Sequence, residues 1–212
     1  RWLPDGTAYA IVERPAGGAE GSEIVRYDAA TGARSVLVPS SALVPAGAKA
    51  PLDIDDYAWS ADGKRLLIFT NTERVWRQNT RGDYWVLDVA DGRLRQIGGK
   101  APESSLMFAK FSPDATRVAY VRENLADGRT VALTKDGSET TINGTSDWVY
   151  EEELGVRDGF RWSPDGTRIA YWQFDSTGVG IFSLIDDTTE LYPTITKIPY
   201  PKAGTTNSAV RI

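Results

Sequence analysis

Histidine and cysteine are both missing from this sequence of 212 residues, and methionine occurs once. Without histidine, no Ser-His-Asp triad can be assembled from these residues alone, and an imidazole metal centre is excluded with it. Without cysteine there is no thiol nucleophile, no disulfide and no thiolate metal site. No apolar run approaches the roughly 20 residues that a membrane-spanning helix needs. Positive charge is also short: 24 Lys and Arg stand against 29 Asp and Glu, a net charge of −5. A nucleic-acid binder would need a basic face, so that class is set aside. An initiator Met and a signal segment are lacking as well, since the chain opens on Arg1-Trp2-Leu3-Pro4. It therefore reads as an internal piece of a longer polypeptide.

What is there is a repeat. "WLPDGTAYAIV" from Trp2, "WSADGKRLLIF" from Trp59, "FSPDATRVAYV" from Phe111 and "WSPDGTRIAYW" from Trp162 match one another. Aligned on Pro4, Ala61, Pro113 and Pro164, they step by 57, 52 and 51 residues. Each is a turn signal followed by an alternating apolar run with the β-rich composition of a half-buried strand: Pro fixes φ early in the turn, and Gly accepts a positive φ after Asp. Ala115 stands where the other repeats have Gly. Further hairpins are expected over Ile24 to Val38, Tyr84 to Gly98 and, in shorter form, Val131 to Ile142. Four antiparallel strands at a period near 50 residues indicate an all-β fold of β-propeller blades. About four blades are expected, starting near residues 2, 59, 111 and 162, as part of a larger ring. Stacked sandwich domains are the alternative, which the regular spacing disfavours. Ser35 to Asp53, rich in Ala, Pro and Ser, reads as a loop between blades. Trp59 and Trp162 read as blade core.

Between the third and fourth repeats the chain inserts "DWVYEEELGVRDGF", Asp147 to Phe160. Good helix formers follow Asp147, a residue suited to N-capping, so a short helix near 147–156 is expected. Three consecutive glutamates, Glu151 to Glu153, then need an explanation. On a helix two neighbours can converge on one cation while the third diverges. A carboxylate pair suits a primary ammonium, with its three donors and one charge. It would also suit calcium, although the EF-hand pattern is missing. An acidic first turn of a surface helix needs no ligand at all. The residues alone leave these options open. Arg157 reads as a structural counter-ion to the acids, and Asn143-Gly144-Thr145 fits a glycosylation acceptor that would matter only in a eukaryotic secretory setting.

"DWVYEEEL", then "FRWSPDGTRIAYWQFD", then "IPYPKAGTTNSAVRI" resemble, in that order, the N-terminal β-propeller of the dipeptidyl peptidase IV family of serine peptidases. The resemblance runs over essentially the whole chain and is most specific from Asp147 to Ile212. It implies an eight-bladed ring, about half of it represented here. It implies that Glu152 and Glu153 bind the free α-amino group of a peptide substrate. In the family an arginine within a short Trp-Arg segment of the second blade reaches the carbonyl of the second substrate residue. "VWRQNTRGDYWVLD" matches at Trp76-Arg77, which makes Arg77 the candidate, with Arg74 and Arg81 as near neighbours.

The resemblance further implies release of X-Pro or X-Ala dipeptides by a Ser-Asp-His triad in a downstream α/β-hydrolase domain. No Gly-x-Ser-x-Gly elbow occurs in these residues, so no catalytic residue is assigned to this chain. No cofactor or metal is expected. The expected partners are peptides with a free N-terminus, the hydrolase domain and a second copy of the protein in a homodimer; the expected location is periplasmic or secreted. Two other classes stay in view: a propeller serving only as an interaction scaffold, and a carbohydrate- or metal-binding propeller. The last would repeat its acids in every blade, whereas the acidic run occurs once.

Overall fold

The repeated turn sets where the strands begin. In the second, third and fourth repeats a serine opens it, and the N–H groups of Ser60, Ser112 and Ser163 each donate to the carbonyl five residues on, at 2.9 Å. Each hydroxyl accepts the N–H of that same residue, Arg65, Arg117 or Arg168, at 2.9–3.0 Å. Each also donates to the carboxylate two residues on, Asp62, Asp114 or Asp165. Gly63 and Gly166 take φ of 69° and 67°, and Ala115 is forced to 59°. For a residue with a Cβ that left-handed geometry costs about 1–2 kcal/mol. The serine hydroxyl and a backbone N–H hold these carboxyls below the ordinary range, Asp165 at about 2. A depressed carboxyl contributes stability that is present above its ordinary value and lost as pH falls through the folded one. The contribution of these carboxylates to the turns is therefore fully present at neutral pH.

The computed structural model describes residues 1–3, 6–122 and 130–212. Pro4 and Asp5, the heart of the first repeat's turn, lie outside the described residues. Two compact units result, Arg1–Val131 and Ala132–Ile212. In the first, β1 (Ala8–Glu13), β2 (Glu23–Asp28) and β3 (Arg34–Val38) form an antiparallel sheet. The second repeat gives the four antiparallel strands expected of a blade: β4 (Asp56–Trp59), β5 (Arg65–Val75), β6 (Gln78–Asp88) and β7 (Leu94–Gln96). Then follow β8 (Leu106–Phe111) and β9 (Val118–Arg122). Strand β8 also pairs with β6 at Arg81–Met107 and Gly82–Leu106, which joins the second and third repeats in one sheet.

Strand β5 shows why the run Leu66-Leu67-Ile68-Phe69 does not alternate with polar residues. Both of its faces are covered. Leu66 and Ile68 pack with Ala10, Ile24, Val38, Leu43, Tyr57 and Leu87, with Trp59 at the margin. Leu67 and Phe69 pack on the other side with Tyr84, Val86 and Leu106. Full burial of each large side chain is worth about 1.5–3 kcal/mol. Leu43 arrives from a 3-10 turn, Ser40–Leu43, within the stretch expected to be a loop. That stretch thus begins as strand β3 and then plugs the core; only its remainder is irregular.

The second unit contains β10 (Thr141–Asn143), helix α1 (Trp148–Leu154), β11 (Phe160–Trp162), β12 (Ile169–Tyr171) and β13 (Gln173–Asp175). It continues with β14 (Ile181–Asp186), β15 (Thr194–Pro199) and β16 (Ala209–Arg211). The hairpin expected over Val131 to Ile142 is not formed. Only β10 is a strand there, and it pairs with β13, which in turn pairs with β16. The reason is local: the Ser138 hydroxyl accepts the N–H groups of Thr140 and Thr141, reversing the chain just before β10. Asp136 then accepts from the side chains of Asn143 and Gln173, holding its segment to the sheet through side chains. Four strands per repeat is met in full by the second repeat, while the first has three among the described residues.

Candidate functional site

Helix α1 forms as the insertion suggests. Asp147 caps it, accepting the Tyr150 N–H at 3.0 Å. Gly155 ends it at φ 65°, where its N–H closes on the Glu151 carbonyl. The three glutamates divide. Glu151 is turned inward, 6% exposed, and accepts from Arg157 Nε at 3.2 Å. Burial raises the Glu151 carboxyl above its ordinary value, the Arg157 guanidinium opposes that, and the neighbouring Glu152 charge adds to it. Arg157 is thus the counter-ion that was expected. Glu152 is half-buried and Glu153 exposed, on successive positions of the same turn. Among the described residues no group of three or more acidic side chains is placed to hold a metal ion.

Arg77 is placed by a different device. Strands β5 and β6 run 11 residues each, and their last pairs, Arg74–Asn79 and Val75–Gln78, close on the turn Trp76-Arg77. Trp76 takes φ 54°, and Arg74 Nε donates to its carbonyl at 3.0 Å. Arg74 is therefore engaged in the turn, and Arg81 lies half-buried in the ladder with β8. Arg77 stands exposed at the tip. At the base the register shifts between Thr70 and Glu73. There Asn71, at φ 48°, donates to Asp83 at 2.8 Å, and the Ser104 N–H donates to the same carboxylate at 2.9 Å. Gly82 sits opposite this bulge, where a Cβ would come within 2.8 Å of the Thr70 carbonyl oxygen. The two glutamates share one turn in the second unit, whereas Arg77 belongs to the first. The Asn143 side-chain nitrogen, which a glycan would take, donates to Asp136 instead.

Sequence reasoning missed Ser208, which donates to Asp147 across 61 residues. It also missed Tyr200, whose ring lies 4.7 Å from that of Trp148. Both occur in "IPYPKAGTTNSAVRI", a segment whose polar and aromatic residues among prolines were the available signal.

Blade-like antiparallel sheets, with a short acidic helix inserted between repeats, give a nearly all-β fold of the β-propeller kind. Residues 60–212 match the family described as the dipeptidyl peptidase IV (DPP IV) N-terminal region, and the chain belongs to that family. It is 35% identical over 184 residues to dipeptidyl aminopeptidase B of Saccharomyces cerevisiae, covering 82% of this chain and 22% of that protein. Probable dipeptidyl-aminopeptidase B of Podospora anserina is 36% identical over 171 residues, 72% of this chain and 18% of its own length. The crystal structure of Porphyromonas gingivalis dipeptidyl peptidase 4 superposes with a TM-score of 0.84 at 32% identity, over 99% of this chain and 30% of that one. The chain thus spans about a fifth of the length of these curated relatives.

Proposed function

We propose that this chain is the substrate-selecting propeller part of a serine dipeptidyl peptidase, in which Glu152 and Glu153 grip the free ammonium of a peptide. One observation supports the reading: Glu151 is buried and ion-paired with Arg157, while Glu152 and Glu153, the next two residues of the same turn, are half-buried and exposed. An ammonium between two carboxylates makes charge-assisted hydrogen bonds to both. It also fixes how far the peptide enters, because the bond to be cut lies a set number of residues from the anchored end. Arg77, exposed at the hairpin tip, suits a carbonyl acceptor with its fixed fork of donors. Histidine and cysteine are absent from the chain, so the nucleophile and its base are assigned to a hydrolase domain elsewhere in the polypeptide. The yeast protein is named a dipeptidyl aminopeptidase and the Porphyromonas protein a dipeptidyl peptidase, which supports the dipeptidyl peptidase part of the reading.

The test uses the full-length protein and two substrates, Gly-Pro-anilide and its N-acetylated form. The first is expected to be cleaved and the second to lose about a hundredfold or more in kcat/KM, because acetylation removes the charge and leaves the carboxylates unpaired. Equal cleavage of both would overturn the reading.

A further inference from the structure

Helix α1 has seven residues, too few to be stable by themselves in water. Whatever fixes it therefore decides where Glu152 and Glu153 point. Its start is fixed by Asp147, which is 5% exposed. One oxygen of that carboxylate accepts the Tyr150 N–H at 3.0 Å, and the other accepts the Ser208 hydroxyl at 2.5 Å. Ser208 is itself 8% exposed and immediately precedes β16, whose Ala209 and Val210 pair with Asp175 and Phe174. The same sheet meets the helix a second time, where the Tyr150 ring stands edge-on to Phe174 at 4.9 Å. Just before β16's connection, Tyr200 packs against Trp148.

An ordinary cap satisfies one helix N–H and faces water. Here the second oxygen of the capping carboxylate is committed to a buried hydroxyl 61 residues away. We propose that Asp147 and Ser208 are a positioning pair that aims the Glu152–Glu153 turn by bolting the first turn of α1 to the β10–β13–β16 sheet. This rests on the reading of Glu152 and Glu153 as the amine grip. Neither residue of the pair needs to touch substrate. Asp147 acts through the helix it caps, and Ser208 acts through Asp147.

The experiment uses the full-length protein with Ser208→Ala, Asp147→Ala and Asp147→Asn, and Glu152→Gln as the reference for the grip. Both alanine variants are expected to raise KM for Gly-Pro-anilide about fivefold to tenfold with kcat nearly unchanged, the effect of one lost cap or charged hydrogen bond. Asp147→Asn should stay close to wild type, since its oxygen still caps Tyr150 and its NH2 can meet the Ser208 oxygen. Hydrogen exchange of the amides in 148–154 gives a readout free of catalysis: faster in both alanine variants, unchanged in the asparagine variant. Unchanged KM and unchanged exchange in the alanine variants would overturn the pair. So would a loss that follows the melting temperature and is not rescued by Asn. If Glu152→Gln leaves kcat/KM unchanged, the grip reading fails instead, and the exchange data still decide whether the pair orders the helix.

Discussion

Replacing Glu152 or Glu153 by Gln in the full-length protein is expected to cut kcat/KM for Gly-Pro-anilide by about a hundredfold or more. Glutamine keeps the volume and an acceptor oxygen but gives up the charge, and a charge-assisted hydrogen bond is worth about 1.5–3 kcal/mol. At about 1.4 kcal/mol per factor of ten, one such bond lost near the reacting end reaches the hundredfold range. Misplacement of the peptide adds to it, because an unanchored end no longer holds the scissile bond in register. The melting temperature should hardly move, since Glu153 is exposed and Glu152 only half-buried. Wild-type rates in both variants would remove the grip from the account.

The second large effect is on stability. Arg157→Met should destabilise the protein by about 3 kcal/mol at neutral pH, the lower end for breaking a buried ion pair. Glu151 would then be an almost fully buried carboxylate with its guanidinium partner gone. The pH dependence follows from the direction of the shift. Burial already raises the Glu151 carboxyl in the folded protein, and the guanidinium is what opposes that rise. Removing it lifts the folded value further. A raised carboxyl contributes stability below its ordinary value and loses it as pH rises through the folded one. The melting temperatures of variant and wild type should therefore converge towards pH 4 and separate towards pH 7. A constant gap across that range would show that the loss is one of packing, from the arginine stem, and not of charge.

What was legible in the sequence was local. The Ser-x-Asp-Gly turns announced themselves because serine and aspartate make their bonds, and glycine takes its positive φ, all within six residues. The same holds for Asp147 as a cap and Arg157 as the partner of Glu151, three and six residues from their contacts. Strand β5 was legible as a strand but not as a doubly covered one: an alternating, half-buried run was expected, whereas Leu66 and Ile68 pack into one core and Leu67 and Phe69 into the other. Legibility ended where a contact joins distant segments. Pairing of β6 with β8 and of β10 with β13 depends on which edge is free, a property of the assembled sheet. Ser208 carries no mark of its role, because nothing nearby in the chain reports a partner 61 residues before it. The turn at Trp76-Arg77 was hidden differently: it has no Gly, Asn or Pro, and Trp76 is held at positive φ by the closed hairpin around it.

The most direct measurement is a crystal structure of the full-length protein holding an uncleaved peptide with a free N-terminus. The terminal nitrogen is expected within about 3 Å of carboxylate oxygens from both Glu152 and Glu153, the reach of a charge-assisted hydrogen bond. A peptide bound with its amino end elsewhere, and both carboxylates directed into solvent, would contradict it.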